Sequence, residues 1–511
     1  MLKILFLSAM SITVEIDNSA IYLNERKDDI FLNEQLIFKD YDKNIFSIFD
    51  LTPDKDYSLT YGEDKITFHT LSCSEIVYSK GIDNTGMSDV TEKLQMLINN
   101  SKDNSLIVIE EGIYHITSLF LKSNKTVYLK KGAVLSASIK ENDYLDLPSE
   151  IVDENGNEIC LSTWEGSPQV MKTSIINGFN IKNAYLIGEG EINGNAQLST
   201  WWVDFRKKPY ARPHIIYINN SENIVIQGIK VKNSPQWTIH PFFSKNLKFL
   251  DLYIENPKVS PNTDGLNPQA CDNVEIIGVY FSVGDDCIAL KSGKIDLARK
   301  YKKPCTNITI RNCYMKNGHG AIVLGSEMSG GIKNITVSRC IFEGTDRGLR
   351  IKTRRGRGKD AIIDGVVFSD ILMKNVLTPL VINMFYFCDP DGKTEYVYSK
   401  EKLPIDDRTP YLGAFTFRNL RCEDSEVCAG YFYGLPEQPI EKIEIDDCYF
   451  SFKEDAQEGT PAMMSFAETL TKSGFKFYNV NQVILNNNQI IGNIGDKMFV
   501  NNVKEFYVDE L

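Results

Sequence analysis

From Val77 onward the apolar and polar positions fall into one recurring unit: an asparagine, a short β-branched strand, one or two turn residues and a second short strand. Copies begin at Asn183 (NAYLIGEGEING), Asn223 (NIVIQGIKVKN), Asn246 (NLKFLDLYIEN), Asn273 (NVEIIGVYFSV), Asn307 (NITIRNCYMKN) and Asn334 (NITVSRCIFEG). Their starts lie 40, 23, 27, 34 and 27 residues apart, so the repeat tolerates insertions. Short strands at this period, without intervening helices, predict an all-β parallel β-helix whose coils stack about 4.8 Å apart. Inward side chains then form a continuous apolar core, and the asparagines take the left-handed backbone required at the bends. One helix, Ser88 to Asn100, places Val90, Leu94, Leu97 and Ile98 on one face, with Ser88 or Asp89 as N-cap. It is expected to cover the open N-terminal end of the coil stack. A barrel or propeller would show hairpin dipeptides at regular spacing, and these are missing.

Residues 1–72 follow a different pattern. Short alternating runs are joined by turns, and IFDLTPDKDYSLTYG (Ile48 to Gly62) links two strand-like segments with Leu51, Pro53 and Tyr57 in the spacing Leu-x-Pro-x-x-x-Tyr. This spacing resembles a signature of fibronectin type III modules and implies a small β-sandwich. The expected division is therefore a sandwich over 1–72 and a β-helix over 73–511, with a few extra strands packed on the main domain as the other reading. The apolar run Ile4 to Leu7 is short for a signal peptide, and Ser11 to Ile16 alternates as a strand does. No apolar run reaches the roughly 20 residues needed to span a bilayer.

Composition narrows the partners. Lys+Arg 56 against Asp+Glu 68 gives a net charge of -12, which offers no global attraction for nucleic acid or an anionic membrane. An anionic ligand must be held by a local basic patch. The 11 cysteines, odd in number and without CxxC spacing, read as buried free thiols of a reducing compartment, so a cytoplasmic location is expected. Nothing in the pattern calls for a metal or a cofactor.

Stacking turns spacing into geometry. Asp264 in PNTDGLNPQ precedes Asp285 by 21 residues, one coil, which is expected to put both on one outer face; Asp286 joins them if the strand ends or bulges there. Three carboxylates this close do not all ionise, and one is expected to keep a proton near neutral pH. That is the setting for glycosidic bond hydrolysis, in which a carboxylic acid protonates the leaving oxygen while carboxylates activate water. On later coils, GHG (Gly318 to Gly320) and RIKTRRGRGK (Arg350 to Lys359, six cations in ten residues) put Arg350 and Lys352 on one strand face. Cations there favour a substrate that carries carboxylates. Arg354, Arg355, Arg357 and Lys359 read as a solvated loop, with one of them reaching a distal subsite. His240 and the pair Trp201-Trp202 read equally as core or as sugar-stacking groups.

NTD (Asn262 to Asp264), GDD (Gly284 to Asp286), GHG and RIK (Arg350 to Lys352), in that order, resemble the four motifs of the family 28 glycoside hydrolases, the polygalacturonases. The resemblance covers about residues 75 to 500. It implies a right-handed β-helix and an inverting hydrolase of α-1,4-galacturonosidic bonds in de-esterified homogalacturonan or oligogalacturonides. It also implies Asp285 as general acid, Asp264 and Asp286 as the groups that position and deprotonate water, and His319 as a partner of the acid or substrate that helps maintain the acid's protonation state. Arg350 and Lys352 would bind the galacturonate carboxylate, Asn262 would hold Asp264 or the substrate, and Tyr386 would contact the bound sugar.

A lyase on the same fold would need calcium and a basic side chain as catalytic base, and a β-helical adhesin would need no acid at all; the three aspartates favour hydrolysis. The inserts Ile139 to Gly166 and Asp389 to Pro410, with the extra N-terminal domain, point to attack at chain ends. The N-terminal domain itself is expected to act as a spacer or as a wall beside one end of the cleft.

Overall fold

The computed structural model describes residues 1–509. Two antiparallel sheets open the chain, one of Leu2–Leu7, Ile12–Ile16 and Ile45–Ile48, the other of Leu23–Leu32, Gln35–Lys43, Asp56–Tyr61 and Asp64–His69. They enclose a small core of Ile12, Val14, Ile30, Phe46, Leu51, Leu59 and Phe68. The Tyr57 hydroxyl accepts the Thr52 N–H at 2.8 Å, which fixes the turn that carries Leu51 and Pro53. The apolar run near the N-terminus is part of the first strand.

Pairing changes from antiparallel to parallel between His69 and Ile76. From there a right-handed parallel β-helix of three faces runs to Asp509. Its first face contains Glu222–Gln227, Lys245–Leu250, Asp272–Ile277, Cys305–Arg311 and Ile332–Ser338 in parallel register. Its second contains Lys230–Lys232, Tyr253–Glu255, Tyr280–Ser282 and Tyr314–Lys316. Its third contains Ile239–Phe242, Ile288–Leu290, Ile322–Gly325, Arg347–Lys352, Thr378–Asn383 and Cys428–Tyr433. Inward residues of successive coils, such as Ile276, Ile310 and Val337, lie in one buried column.

The bends explain the repeated asparagines. Asn183, Asn223, Asn246, Asn273, Asn307 and Asn334 all have φ between 53° and 59°. Their amides also bond coil to coil: Asn223 to Asn183 (3.1 Å), Asn273 to Asn246 (2.7 Å) and Asn334 to Asn307 (3.1 Å). The residue type therefore satisfies a backbone constraint and a side-chain ladder at once.

One expectation needs correction. The helix is Thr91–Asn100, and Ser88 and Asp89 belong to a preceding strand, Thr85–Asp89. Asp83 takes the Ser88 N–H and hydroxyl, so Ser88 is not available as a cap, while Asp89 accepts the Thr91 N–H at 2.8 Å. The sandwich packs against the coils. Its three-stranded sheet lies along the first face, where Ser11 donates to Gln227 (2.6 Å), Glu15 pairs with Arg311 and Arg339, and Ile45 packs with Val225, Leu250 and Ile277.

Asn307→Val should lower stability by about 2 kcal/mol, since a β-branched residue is strained at φ 56° and the bonds to Asp272 and Asn334 are lost. Asn307→Gly, which relieves the strain, should cost about half as much. Thermal melts of the two variants check this; equal losses would show that the bend does not select asparagine for its backbone.

Candidate active site

The third face and the bend that leads into it carry the acidic and basic motifs. Leu266 bridges Ile288, and the Gly265 N–H donates to the Asp286 carbonyl at 3.0 Å. Asp264 is thus in register with Asp286, and Asp285 stands one position aside. The coil there is 22 residues long, which corrects the expected pairing of Asp264 with Asp285 at 21. Asp264 and Asp286 are almost fully buried, whereas Asp285 is half-buried and open to solvent.

The next coil brings His319 over Asp285, with the His319 N–H on the Asp285 carbonyl at 3.0 Å. Both flanking glycines are required by this close approach. A Cβ at Gly318 would lie 2.6 Å from that same carbonyl, with φ at +96°, and one at Gly320 would meet Val323 at 2.4 Å and the Asp286 carboxylate at 3.3 Å. One coil further, Asp346 accepts a hydrogen bond from His319 Nδ1 at 2.8 Å. This bond raises the imidazole pKa. When protonated, the ring pulls the Asp285 pKa down.

Asp286 is the anion of the cluster. Burial opposes its ionisation, but Lys352 Nζ at 2.8 Å and Arg350 Nη1 at 3.2 Å outweigh burial and hold it well below the usual carboxylate range. Asp285 goes the other way: burial, then the Asp286 charge, raise its pKa against Lys352, His319 and Arg350. Asp264 is raised as well, by burial first and then by Asp285, against the pull of Lys291. A proton in the cluster is therefore favoured on Asp264 and Asp285 over Asp286. The two cations expected to await a substrate carboxylate are engaged with Asp286.

Asn262 does not touch Asp264. Its side-chain oxygen accepts from Arg212 Nη2 at 2.8 Å, and the residue bonded to Asp264 is Asn267, at 2.8 Å. Tyr386 is buried beside Lys352, whose ammonium lies 5.6 Å from the ring centre. His240 and Trp201 belong to the core: His240 is buried between His214 and Gln269, and Trp201 packs against Tyr144. Trp202 is partly buried, with its indole N–H on the Ser234 carbonyl. The basic tail is not a solvated loop either. Arg354 pairs with Asp389 and Asp391, Arg355 with Glu437 and Arg357 with Asp389, all three buried, and they tie the Asp389 to Pro410 insert to the coil. Lys359 alone is exposed as expected.

Several site residues escaped the sequence reading. Lys291, buried against Glu327 at 3.1 Å and over the Trp237 ring at 4.6 Å, is a third cation near the aspartates. Arg212 has its guanidinium carbon 5.7 Å from the Trp164 ring centre, and Trp164 stacks on Trp237. Trp164 stands at the end of the Ile139 to Gly166 insert, in the hairpin Thr163–Trp164 with Ser167–Pro168. None of these lies within a periodic pattern, and only Asn267, three residues after Asp264, is marked by spacing. Among the described residues no cluster of His, Cys, Asp and Glu is arranged to hold a metal ion.

A protein-family model for the glycosyl hydrolases family 28 matches residues 149–407. A probable polygalacturonase of Vitis vinifera is 33% identical over 354 residues, 68% of this chain and 67% of that protein. An endo-polygalacturonase of Pectobacterium carotovorum subsp. carotovorum is 29% identical over 317 residues, 58% and 73% respectively. Among solved structures, a family 28 exopolygalacturonase of Yersinia enterocolitica superimposes with a TM-score of 0.68 at 18% identity, over 99% of this chain and 98% of the other. A hyperthermoactive exopolygalacturonase of Thermotoga maritima gives 0.62 at 22% identity, over 76% and 89%. At these identities the structural likeness is one of fold.

The electrostatics make opposite predictions for two neighbours. The folded pKa of Asp264 lies above its unfolded value of about 3.9, so its burden is absent below that pH and grows as pH rises toward the folded pKa. Asp264→Asn should therefore raise Tm at pH 7 and leave it unchanged near pH 3. Asp286, with a lowered folded pKa, stabilises the fold above the unfolded pKa and loses this as pH falls. Asp286→Asn should cost about 3 kcal/mol at pH 7 by leaving Lys352 and Arg350 unpaired. Melts of both variants across pH 3 to 8 check the signs, and equal shifts would refute the assignment.

Proposed function

The chain belongs to family 28 of the glycosyl hydrolases, and from that premise we propose that it trims galacturonate from the ends of de-esterified homogalacturonan or oligogalacturonides, with inversion at the anomeric carbon. The coarser part, a polygalacturonase-type glycoside hydrolase, follows from family and fold together. The observation that carries the mechanism is the unequal state of the adjacent carboxyls, Asp285 raised and Asp286 lowered.

Asp285, half open to the cleft and favoured in its protonated form, is the donor to the leaving oxygen. Asp286, held ionised, takes the proton of the attacking water, and Asp264 beside it orients that water through its second oxygen while Asn267 fixes the first. Water attacks from the side opposite the departing sugar, which inverts the centre. Arg350 and Lys352 bind the substrate carboxylate by sharing their charge between it and Asp286; ammonium and guanidinium each have donors left for a second acceptor. His319, held by Asp346, keeps the Asp285 pKa from rising too far for proton release at working pH. Tyr386 lines the sugar pocket, and Asn262 acts through Arg212.

End-wise attack is supported by the two inserts that flank the third face, one reaching Trp237 through Trp164 and the other anchored by Arg354 and Arg357. A cytoplasmic enzyme would meet short imported oligomers, for which end-wise cleavage suffices, and we place it there.

Asp285→Asn, Asp264→Asn and Asp286→Asn should each lower kcat by about 10²–10⁴-fold. NMR of early products should show the β-anomer first, since the α-bond inverts; the α-anomer appearing first would reject the mechanism. Turnover should be lost upward as Asp285 ionises, and downward only where Asp286 protonates, near the acid limit of folding. Lys352→Met, which removes the main attraction holding Asp286 ionised, should move the acidic limb to higher pH. An unmoved limb would contradict the role given to Asp286.

A further inference from the structure

Where the sandwich meets the first face of the coils, the two enclose an open groove of about 220 Å³. That is the volume of about seven waters, enough for one sugar ring. The sandwich strand Leu2–Leu7 carries a bulge at Leu5, between the pairs Ile4 with Val14 and Phe6 with Thr13, and a bulge re-aims side chains. Leu5 and Phe6 both turn toward the coils. Phe6 meets Tyr185 edge to face, with ring centres 5.3 Å apart and planes at 80°. Tyr185 opens an outward column of one residue per coil, Tyr185, Val225, Lys248 and Glu275, which forms the floor.

Beside this floor runs the asparagine ladder, and here it is interrupted. Asn223 bonds back to Asn183 and Asn273 to Asn246, but Asn223 and Asn246, one coil apart, are not joined. Among the described residues the Asn223 side-chain oxygen, the Asn246 side-chain N–H groups and the Tyr185 hydroxyl thus have no protein partner. The groove therefore offers an acceptor, a donor and a hydroxyl.

Its charge, by contrast, is already balanced. Lys248 pairs with Glu275 at 2.8 Å and donates to the Leu5 carbonyl at 3.2 Å. An anion would find no unpaired cation among the lining residues, and its desolvation would go uncompensated. A sugar hydroxyl, which both donates and accepts, fits the open step between Asn223 and Asn246. The apolar face of a pyranose fits an aromatic ring with a polar end, as Tyr185 has.

We propose that this groove is an accessory site for an uncharged pyranose ring, seated on the Phe6–Tyr185 pair with its hydroxyls on Asn223 and Asn246. The site lies on a different face from the aspartates, so it does not depend on the hydrolytic reading. An uncharged ring can come from a neutral sugar or from a methyl-esterified galacturonate, and the probes separate the two.

The test is an NMR titration of full-length Asp285→Asn protein, in which no sugar is cleaved, with methyl α-galactopyranoside, fully methyl-esterified trigalacturonate and free galacturonate. At least one of the two uncharged probes should bind at the groove, and which one identifies the source. Adding Tyr185→Ala should weaken that binding about tenfold or more. Asn246→Gly, which keeps the backbone at φ 55° while removing the amide, should weaken it about fivefold. The glycine variant decides the matter if the alanine variant does not fold. In an otherwise wild-type chain, Asn246→Gly should leave hydrolysis of trigalacturonate unchanged. Uncharged probes that bind equally well to both variants, or do not bind at all, would overturn the site. Free galacturonate bound as tightly as the uncharged probes, and weakened by the same substitutions, would overturn the ligand class.

Discussion

Everything at the site follows from one buried contact: Asp286 held between Lys352 and Arg350. A carboxylate this deep would normally surrender its charge, because the cost of desolvating an ion outweighs what a single exposed partner returns. Two cations on alternate positions of one strand reverse that balance. Once Asp286 is fixed as an anion, its field acts on its neighbour, and Asp285 is pushed toward the protonated state. A donor and an acceptor of protons arise from two residues of the same type in adjacent positions, distinguished only by what lies on the coils above them.

The β-helix makes this possible because it converts coil number into distance. Asp264, Asp286 and Gly320 lie in one register column, and Asp285, His319 and Asp346 in the next. Each group is placed by a separate coil, and the ladder beneath, from the apolar stacks to the asparagine bends, keeps the coils from shifting against one another. The inserts are secured by the same means. Arg354, Arg355 and Arg357 follow directly on the strand that carries Arg350 and Lys352; Arg354 and Arg357 pair with Asp389 of the insert and Arg355, paired with Glu437, donates to the insert carbonyls of Tyr396, Ser399 and Glu401. One short basic run therefore both charges the cleft and builds its flank.

Much of this was legible in the sequence, and the misses have physical causes. The asparagine repeat predicted the fold because a positive φ at a bend restricts the residue type so strongly. The four motifs drew Asp264, Asp285, Asp286, His319, Arg350 and Lys352 to one place for the same reason: glycines are needed where backbone and carboxylate pass close, as at Gly318 and Gly320. Register failed by one residue, since a coil of 21 or 22 residues cannot be told apart without the bend geometry. The helix start failed because Asp83, five residues earlier, competes for Ser88. Arg354, Arg355 and Arg357 looked solvated because their partners, Asp389, Asp391 and Glu437, lie some 30 to 80 residues away in sequence. Lys291 and Arg212 carry no local signal, as each acts through contacts that only the stacked coils create.

The central claim is that Asp286 is ionised and Asp285 protonated in the same resting site. Carboxyl-¹³C NMR of aspartate-labelled protein, with the two signals assigned from Asp285→Asn and Asp286→Asn, measures this directly. The account predicts that the Asp286 signal stays in its ionised position throughout the acid titration down to the limit of folding, while the Asp285 signal titrates above the usual aspartate range. An Asp286 signal that titrates above that of Asp285 would contradict it.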